Sequence, residues 1–374
     1  MSRRSSRPAN KHVPSWLHWK SKLFDRTAGT WRRLAALETS ILNDDLDAVA
    51  IDRPIYVAGV ARSGTTIITE MLARHPDVTA HRYSDFPNVY TPFWRNWLAE
   101  RAHRAPARAV ERAHKDRLMV TTESPEAVEE VLWMQFFEHL HDPEHDQTLD
   151  AATSNPEFEA FYADHIRKLL LVRGKTRYLT KGNYNTTRLE YILKLFPDAR
   201  FVVPIRNPVN HVASLVKQDR LFEKTGREDP RVVRQLHLSG HFEFGLDKRC
   251  INTGDGRAAL EIQAAWTAGD SVQGWALYWA GVYGALLKAT EKNPRLRDAI
   301  HFIRYEDLCR QPEASIAALI LHCRLPPEPF AAIGREFAGR LSEPDYYRPG
   351  FTPDESAQLR RATGPLTEHF GYES

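Results

Sequence analysis

One segment between an apolar run and a helical pattern constrains this chain more than any other feature. The run Pro54 to Ala58 predicts a buried strand, and it is followed directly by residues 59–66, Gly-Val-Ala-Arg-Ser-Gly-Thr-Thr. Apolar side chains on one face then predict a helix that ends before His75-Pro76. A strand, a glycine-containing loop and a helix start place backbone N–H groups at the positive end of a helix dipole. This order predicts an anion-binding site.

The loop departs from the signature of nucleoside triphosphatases at one position. That signature, G-x-x-x-x-G-K-[ST], contains a lysine that reaches the phosphates, whereas this sequence has Thr65 there. The basic group lies inside the loop instead, as Arg62. A loop without the lysine is poorly suited to transferring a γ-phosphoryl group, but it can still hold another doubly anionic ester.

Length, composition and charge indicate a folded globular chain. The 374 residues are 42% apolar and 26% charged, and the net charge is +3. So small a net charge argues against a protein built chiefly to bind nucleic acid. Residues 1–33 nevertheless carry nine Lys or Arg against one acid. This basic region predicts either a solvated surface or a contact with an anionic substrate or membrane surface.

Targeting and cysteine patterns predict a cytoplasmic location. The sequence has no run of about 18 apolar residues that could span a bilayer. The basic residues near its start are not followed by the apolar region of a secretory signal. Cys250, Cys309 and Cys323 are widely spaced and odd in number, as expected of reduced thiols.

Further apolar runs predict strands at 177–180, 201–205 and 301–305. Helical patterns lie between and after them, including one long helix through 266–283 and another at 312–323. Strands that alternate with helices form parallel sheets. We therefore predict one α/β domain, with a P-loop-like parallel sheet flanked by helices.

The predicted domain, residues 1–374, has a core and three additions. The core comprises residues 54–218 and 260–325, with an N-terminal helical extension at 1–50, a helical cap at 81–165 and an insertion at 219–260. Within the cap we predict helices from Pro125 to His139 and from Glu157 to Val172. The insertion is polar and glycine-punctuated, which is more typical of a functional lid than of an idle linker.

Polar clusters follow three of the predicted strands. They are Arg62 to Thr66, Lys181 to Asn185, and Arg206-Asn207. Ligands of open α/β sheets bind beyond the carboxyl ends of the strands. A magnesium-dependent triphosphatase needs an aspartate at such a strand end, and this chain has Arg206 there. We therefore expect no Mg²⁺ and a second anionic group bound by Arg206.

Taken in order, these motifs resemble the sulfotransferases that use 3′-phosphoadenosine 5′-phosphosulfate (PAPS), most closely their bacterial, carbohydrate and tyrosyl-type members. Residues 62–66 resemble that family's 5′-phosphosulfate loop, and Arg206-Asn207-Pro208 with Ser214 resembles its 3′-phosphate site. The stretch 178–201 resembles the segment that links the acceptor-side lysine to this site. Residues 304–308 resemble a recurrent element before the last core helix.

The resemblance implies a PAPS-dependent sulfotransferase that acts on an acceptor hydroxyl or amine of a carbohydrate or small molecule. It implies that PAPS is bound by Arg62, Ser63, Gly64, Thr65, Thr66, Arg206 and Ser214. Arg62 and Lys181 are the candidates for stabilising charge on the leaving oxygen. The implied partner is a small-molecule or glycan acceptor rather than a nucleic acid.

The acceptor hydroxyl also needs a general base. Members of the family often carry a glutamate or histidine for this role, but this chain reads His-Arg-Tyr-Ser-Asp at 81–85 after the first helix. We choose Asp85 as the first candidate and His81 as the second. Asn183 and Asn185 stand where related sequences can have a histidine after the lysine.

Two other functions fit part of the pattern. A P-loop kinase or triphosphatase would share the loop, although Thr65 and Arg206 disfavour it. A non-catalytic nucleotide-binding protein would keep the anion sites and lack the base. We expect no metal site, because Gly240 and Pro143 interrupt the helices that the histidines at 237–241 and 139–145 would need.

Overall fold

Five parallel strands form the sheet that positions the polar clusters. The computed structural model describes residues 13–101, 110–111, 119–342 and 350–372. Over these ranges the strands are β1 (Ile55–Val57), β2 (Val78–Ala80), β3 (Val110–Glu111), β4 (Met119–Val120), β5 (Arg177–Lys181), β6 (Arg200–Ile205) and β7 (Ile300–Arg304). The main sheet has the order β2-β5-β1-β6-β7, and β3 pairs with β4 in a small antiparallel ribbon. The predicted α/β class and the four predicted strands are confirmed.

Helices flank this sheet on both faces. In the described part of the chain they are α1 (Ser15–Arg26), α2 (Ala28–Ile41), α3 (Asn43–Asp47), α4 (Thr65–Ala73), α5 (Pro92–Arg101), α6 (Glu130–Trp133), α7 (Pro156–Arg173), α8 (Leu189–Leu195), α9 (Pro208–Glu228), α10 (Pro230–Leu238), α11 (Gly256–Ala268), α12 (Ser271–Lys292), α13 (Pro294–Ala299), α14 (Tyr305–Arg310), α15 (Pro312–His322), α16 (Ala331–Ala338) and α17 (Pro353–His369). Short 3₁₀ turns occur at Tyr83–Asp85, Asn183–Thr187 and Glu328–Phe330.

Strand β1 shows why the strands of this sheet have continuous apolar sequences. Ile55, Tyr56 and Val57 are all fully buried, since helices cover both faces. Successive side chains point to opposite faces. Tyr56 accordingly packs in the larger apolar cluster, while Ile55 and Val57 pack in a second cluster on the other face.

The carboxyl ends of all five strands meet at one edge. The residues there are Ala58 after β1, His81 after β2, Lys181 at the end of β5, Arg206 after β6 and Tyr305 after β7. Strand β1 is central, with β5 on one side and β6 on the other. The crevice beyond β1 is therefore where the chain can collect groups from three strands.

Pro204 is the next-to-last residue of β6, an interior strand between β1 and β7. Proline has no N–H to donate, so it is tolerated in a sheet only where no ladder donor is needed. Ala58 N donates to Val202 O at 3.0 Å, beyond the last residue of β1. Because backbone groups alternate sides along a strand, the nitrogen of Pro204 faces the space past β1, where no ladder partner is required.

The predicted helix from Pro125 to His139 is wrong over most of its length. Pro125 bridges to Arg82, and Glu126 N donates to His81 O at 2.9 Å. This segment pairs with the chain after β2, and regular α-helix is confined to α6. The other predicted cap helix is confirmed, as α7.

Two more helix predictions need correction. The single helix through 266–283 is two helices, α11 and α12, since Gly269 ends the first at a φ of +87°. The insertion at 219–260 is helical over its first half, because α9 continues to Glu228 and α10 follows at once. Its irregular part is 239–255.

The N-terminal extension is helical as predicted over the residues described, 13–50; residues 1–12 lie outside them. Across the described ranges, every helix is too short or too polar to cross a lipid bilayer.

Candidate active site

The loop after β1 contains two residues in the left-handed region. Arg62 has a φ of +73° and Gly64 a φ of +107°, and α4 begins at Thr65. A non-glycine residue in this region is strained, and such strain is typical of ligand-binding loops. Gly64 is required for a second reason. A Cβ there would lie 2.5 Å from Cδ2 of Tyr305, whose ring covers the loop.

Side chains from α9 hold this loop. Arg62 Nε donates to Ser214 Oγ at 3.3 Å, and His211 Nε2 donates to the carbonyl of Ala61 at 2.7 Å. The loop cluster at 62–66 and helix α9, which begins directly after Arg206-Asn207, therefore lie side by side. The sequence placed Arg62 and Ser214 at opposite ends of one ligand, and the structure brings them into direct contact.

His211 is a buried histidine under the electrostatic influence of Arg62 and Arg206. Its side chain is fully buried, and burial, with the charges of Arg206 and Arg62, lowers its pKa to about 3. The ring is therefore neutral at physiological pH. Because the Ala61 carbonyl can only accept, Nε2 carries the proton. Both guanidinium groups therefore lie within electrostatic range of this one imidazole.

Arg206 is fixed by elements far away in sequence. It is 5% exposed, and its guanidinium carbon lies 5.6 Å from the centre of the Tyr305 ring. The next residue, Asn207, donates its N–H to Glu306 Oε1 at 3.0 Å. Tyr372, near the other end of the chain, donates its hydroxyl to Glu306 Oε2 at 2.7 Å. The recurrent element at 304–308 thus supports the turn that carries Arg206.

Lys181 brings the second cluster to the same place. Its Nζ lies 3.4 Å from Thr66 Oγ1, on the first turn of α4, and 3.2 Å from Glu126 Oε1. The side chains of Lys181 and Glu126 are 10% and 14% exposed. The lysine therefore stands between the start of α4 and a carboxylate that the sequence did not reveal.

Glu126 is the functional candidate that sequence reasoning missed. Burial alone would raise its pKa, but the charges of Lys181 and His241 and a hydrogen bond from Tyr83 hold it well below the ordinary value. A glutamate after Ser124-Pro125 is typical of a first helical turn, so local pattern gave no signal. The bridge between Pro125 and Arg82 puts it beside Lys181.

Asp85, our first choice for the base, is placed in a buried ion-pair network. Its carboxylate accepts from Arg173 Nη2 at 2.8 and 3.0 Å, from Arg95 Nη1 at 2.9 Å and from Arg82 N at 2.8 Å. Two guanidinium groups and a backbone N–H occupy both oxygens. This geometry argues against Asp85 as the base, because both oxygens are engaged within the protein.

His81, the second choice, belongs to the same network. Its Nδ1 lies 3.3 Å from Asp85 Oδ2, and its Nε2 lies 3.0 Å from His165 Nε2. The ring is 2% exposed. His81 therefore contacts the cap helix α7 and Asp85, and its ring nitrogens are turned to these partners.

The insertion contributes to the site, close to Lys181. Asn183 Nδ2 donates to Glu243 Oε1 at 2.7 Å, and Phe242 N donates to the Tyr184 hydroxyl at 2.8 Å. His241 lies 3.6 Å from Glu243. Burial opposes protonation of His241, but Glu243 and Glu126 raise its pKa above the ordinary value. The insertion thus places an imidazole and a carboxylate beside the lysine.

Among the described residues, one group of histidine and aspartate side chains could hold a metal ion. The ligand atoms of His139, Asp142 and His145 lie within 4.8 Å of one another, on a turn rather than a helix. These side chains are 50%, 37% and 51% exposed, and His145 Nδ1 is 2.8 Å from the Asp142 carboxylate. A short exposed ion-paired turn explains the arrangement, and our expectation of no metal site stays a prediction.

The fold and the site define an α/β protein that collects anion-binding groups beyond a central strand. Residues 54–239 match the family model of the Sulfotransferase family. The chain belongs to the sulfotransferase family, as the order of its motifs predicted. A comparison with curated proteins finds no match.

Solved structures agree on the fold. One similar structure is sulfotransferase STF1 from Mycobacterium tuberculosis, with 16% identity and a TM-score of 0.50 over 92% of this chain and 85% of that chain. Another is sulfotransferase STF9 from Mycobacterium avium, with 15% identity and a TM-score of 0.52 over 90% and 82% of the two chains. At such identities the likeness concerns the fold.

Proposed function

We propose that this protein transfers a sulfuryl group from PAPS to an acceptor hydroxyl or amine. The observation that carries the proposal is the pair of contacts Arg62–Ser214 and Lys181–Thr66. These contacts gather basic and hydroxyl side chains from β5, α9 and the loop after β1 around the start of α4. Sulfuryl transfer from PAPS needs basic and hydroxyl groups of this kind, because the donor carries two anionic groups, a 5′-phosphosulfate and a 3′-phosphate.

The chemistry of these groups fits the donor. Gly64 caps α4 with no side chain that could accept the first N–H groups, so these can point to a bound anion. Together with the hydroxyls of Thr65 and Thr66 they would bind the 5′-phosphosulfate. Arg206 and Ser214 would bind the 3′-phosphate through charge-assisted hydrogen bonds, donated by a guanidinium and a hydroxyl.

The donor supplies an activated sulfuryl group, whose sulfur forms a bond to the acceptor oxygen or nitrogen while the bond to the phosphate oxygen breaks. Lys181 and Arg62 would stabilise the negative charge that develops on that phosphate oxygen. Loss of one preorganised donor of this kind costs on the order of 10²–10³ in rate. The acceptor proton goes to a base on this chain.

We assign that base to Glu126. Its Oε1 is 3.2 Å from Lys181 Nζ, so the carboxylate and the lysine that meets the leaving oxygen are neighbours. In the protein without donor, Lys181 neutralises Glu126. When Lys181 turns toward the donor, Glu126 loses this partner and gains an anionic neighbour. Both changes raise its proton affinity, which suits it to accept the proton of the acceptor.

The surroundings of Lys181 favour a polar acceptor. The small cavity beside it is lined mainly by polar side chains, among them Glu129, Asn183, His241 and Glu243, together with Trp133 and Tyr184. Carboxylate, amide and imidazole groups bind hydroxyls and amines well, and a simple phenol offers them a single hydroxyl. We therefore propose a carbohydrate or another small molecule rich in hydroxyl or amine groups. A preference for simple phenols over glycans in a transfer assay would contradict this.

We propose the cytoplasm as its location. Cys250 and Cys323 are buried thiols, and burial raises the pKa of each to about 12, so both stay protonated. Accumulation of the native chain in an oxidising compartment would contradict this proposal.

Calorimetry with two nucleotides tests the donor. We expect 3′,5′-adenosine bisphosphate, the by-product of transfer, to bind more tightly than ATP with Mg²⁺. A preference for ATP would favour the kinase or triphosphatase alternative. Tight binding of the bisphosphate without transfer from PAPS to any of a panel of glycans, amines and phenols would favour the non-catalytic binder.

A further inference from the structure

Helix α1 exposes an aromatic and basic stripe. Trp16 is 61% exposed, Trp19 64% and Leu23 41%. Positions 16, 19 and 23 lie on one face of a helix, and the exposed Lys20 and Arg26 fall on the same face. The Lys20 ammonium lies 5.4 Å from the centre of the Trp16 ring. We call these five residues the α1 stripe.

The opposite face of α1 is fixed to the protein. Ser21 is buried and accepts from Gln235 Nε2 of α10 at 3.0 Å. Phe24 stacks on Trp31 of α2, with ring centres 4.3 Å apart. The helix is therefore held with Ser21 and Phe24 inward and its two indole rings largely in water. An ordinary surface helix would bury side chains as large and apolar as these indoles.

Exposed indoles beside basic side chains are the composition of helices that lie in a membrane interface. Indole rings favour the boundary between headgroups and acyl chains, and Lys and Arg bind anionic headgroups. The same arrangement is a poor surface for an aqueous partner of like charge. A single exposed apolar residue is ordinary, but two exposed indoles on successive turns of one helix form a patch of the kind that marks an interaction site.

We propose that the α1 stripe docks this protein on a membrane surface that contains anionic lipid. Charge supports lipid over a second copy of the chain. Residues 1–12 carry Arg3, Arg4, Arg7 and Lys11 and no acid. Helix α1 adds Lys20, Lys22 and Arg26 against the single acid Asp25, whose carboxylate lies 3.6 Å from Arg234. Two copies of so basic a segment would repel each other, whereas an anionic lipid surface attracts each copy.

Vesicle co-sedimentation of the full chain tests the proposal. The native protein should bind vesicles of phosphatidylcholine with phosphatidylglycerol, with a blue shift of tryptophan emission, and should bind pure phosphatidylcholine much less. The double variant Trp16→Ser/Trp19→Ser should bind about tenfold less or weaker still, because each indole would withdraw on the order of 100 Å² from water. Lys20→Gln/Arg26→Gln should lose about fivefold for each basic residue removed.

A matched control removes two exposed apolar side chains elsewhere. Leu260 on α11 is 59% exposed and Leu321 on α15 is 78% exposed, and Leu260→Ser/Leu321→Ser should bind vesicles like the native chain. Urea unfolding should show every variant folded, since each changed side chain is exposed. Native-like binding by the tryptophan variant, or no binding of anionic vesicles by the native protein, overturns the proposal. A dimer in light scattering that the tryptophan variant dissociates would assign the stripe to a second copy instead.

Discussion

Replacement of Asp85 by asparagine should lower the stability of the protein, and it should not remove the catalytic base. The carboxylate balances two guanidinium groups, with Arg173 Nη2 at 2.8 Å and Arg95 Nη1 at 2.9 Å. The side chains of Asp85 and Arg173 are 3% and 4% exposed. Asparagine has the same shape but no charge. It therefore leaves a buried guanidinium without its counter-ion.

The size of the effect follows from this burial. Breaking a buried ion pair by removing one partner costs about 3–5 kcal/mol, most of it from the uncompensated charge. Arg173 is too buried to recover hydration, so the full range applies to it. Arg95 is 18% exposed and can be rehydrated in part. We expect the free energy of unfolding to fall by about 3–5 kcal/mol.

Urea denaturation measures this change, with Glu336→Gln as the control. Glu336 also pairs with an arginine, Arg74, at 3.0 Å, but both side chains are about half exposed, so its loss should change stability little. Turnover per folded molecule should survive in the Asp85 variant. The reasoning is refuted if Asp85→Asn is no less stable than Glu336→Gln and yet abolishes turnover with donor binding intact.

The same carboxylate predicts a dependence on pH. Burial alone would raise the pKa of Asp85, but the His81 ring, whose Nδ1 lies 3.3 Å from Oδ2, and the charges of Arg173 and Arg95 hold it far below the ordinary value. A depressed folded-state pKa gives stability that is present above the unfolded pKa, about 3.9, and is lost as the pH falls toward the folded value. The stability gap between native protein and Asp85→Asn should be constant near neutrality and shrink below about pH 4.

Three further substitutions test the site. Glu126→Gln should lower kcat by about 10²–10⁴-fold while calorimetric binding of 3′,5′-adenosine bisphosphate is unchanged; unchanged kcat would exclude it as the base. Arg206→Ala should weaken that binding by about 10–100-fold, the value of one hydrogen bond to a charged group, and equal affinity would move the 3′-phosphate elsewhere. Gly64→Ala should lose about 1–3 kcal/mol of stability, because φ is +107° and the new Cβ would lie 2.5 Å from Tyr305. A urea denaturation midpoint equal to that of the native protein would show that the loop can shift.

Local sequence was a reliable guide where a residue's role depends on its own strand or loop. Strand β6 and the turn at Arg206-Asn207 follow from an apolar run and a proline in the first helical turn. Local sequence predicted the boundaries of helices less well. Pro125 looked like a helix start, but long-range pairing with Arg82 competes with the local preference and prevails.

The base that we propose could not be found in this way. Glu126 lies 55 positions before Lys181, to which it bonds, and a lone glutamate carries no pattern that marks such a partner. Asp85 had the expected position along the chain, but the sequence does not show that Arg95 and Arg173 fold onto it. Whether an acid is a base or a counter-ion depends on which charges pack around it.

The sequence by itself determined the parallel sheet, the loop at 59–66 and the family, because strand periodicity, glycines and motif order are local along the chain. The tertiary structure decided which carboxylate faces Lys181, which one is held by arginines, and which side of α1 meets the solvent. Those outcomes arise from contacts between segments far apart in sequence. Their electrostatic energies depend on distance and burial, which exist only after the chain has folded.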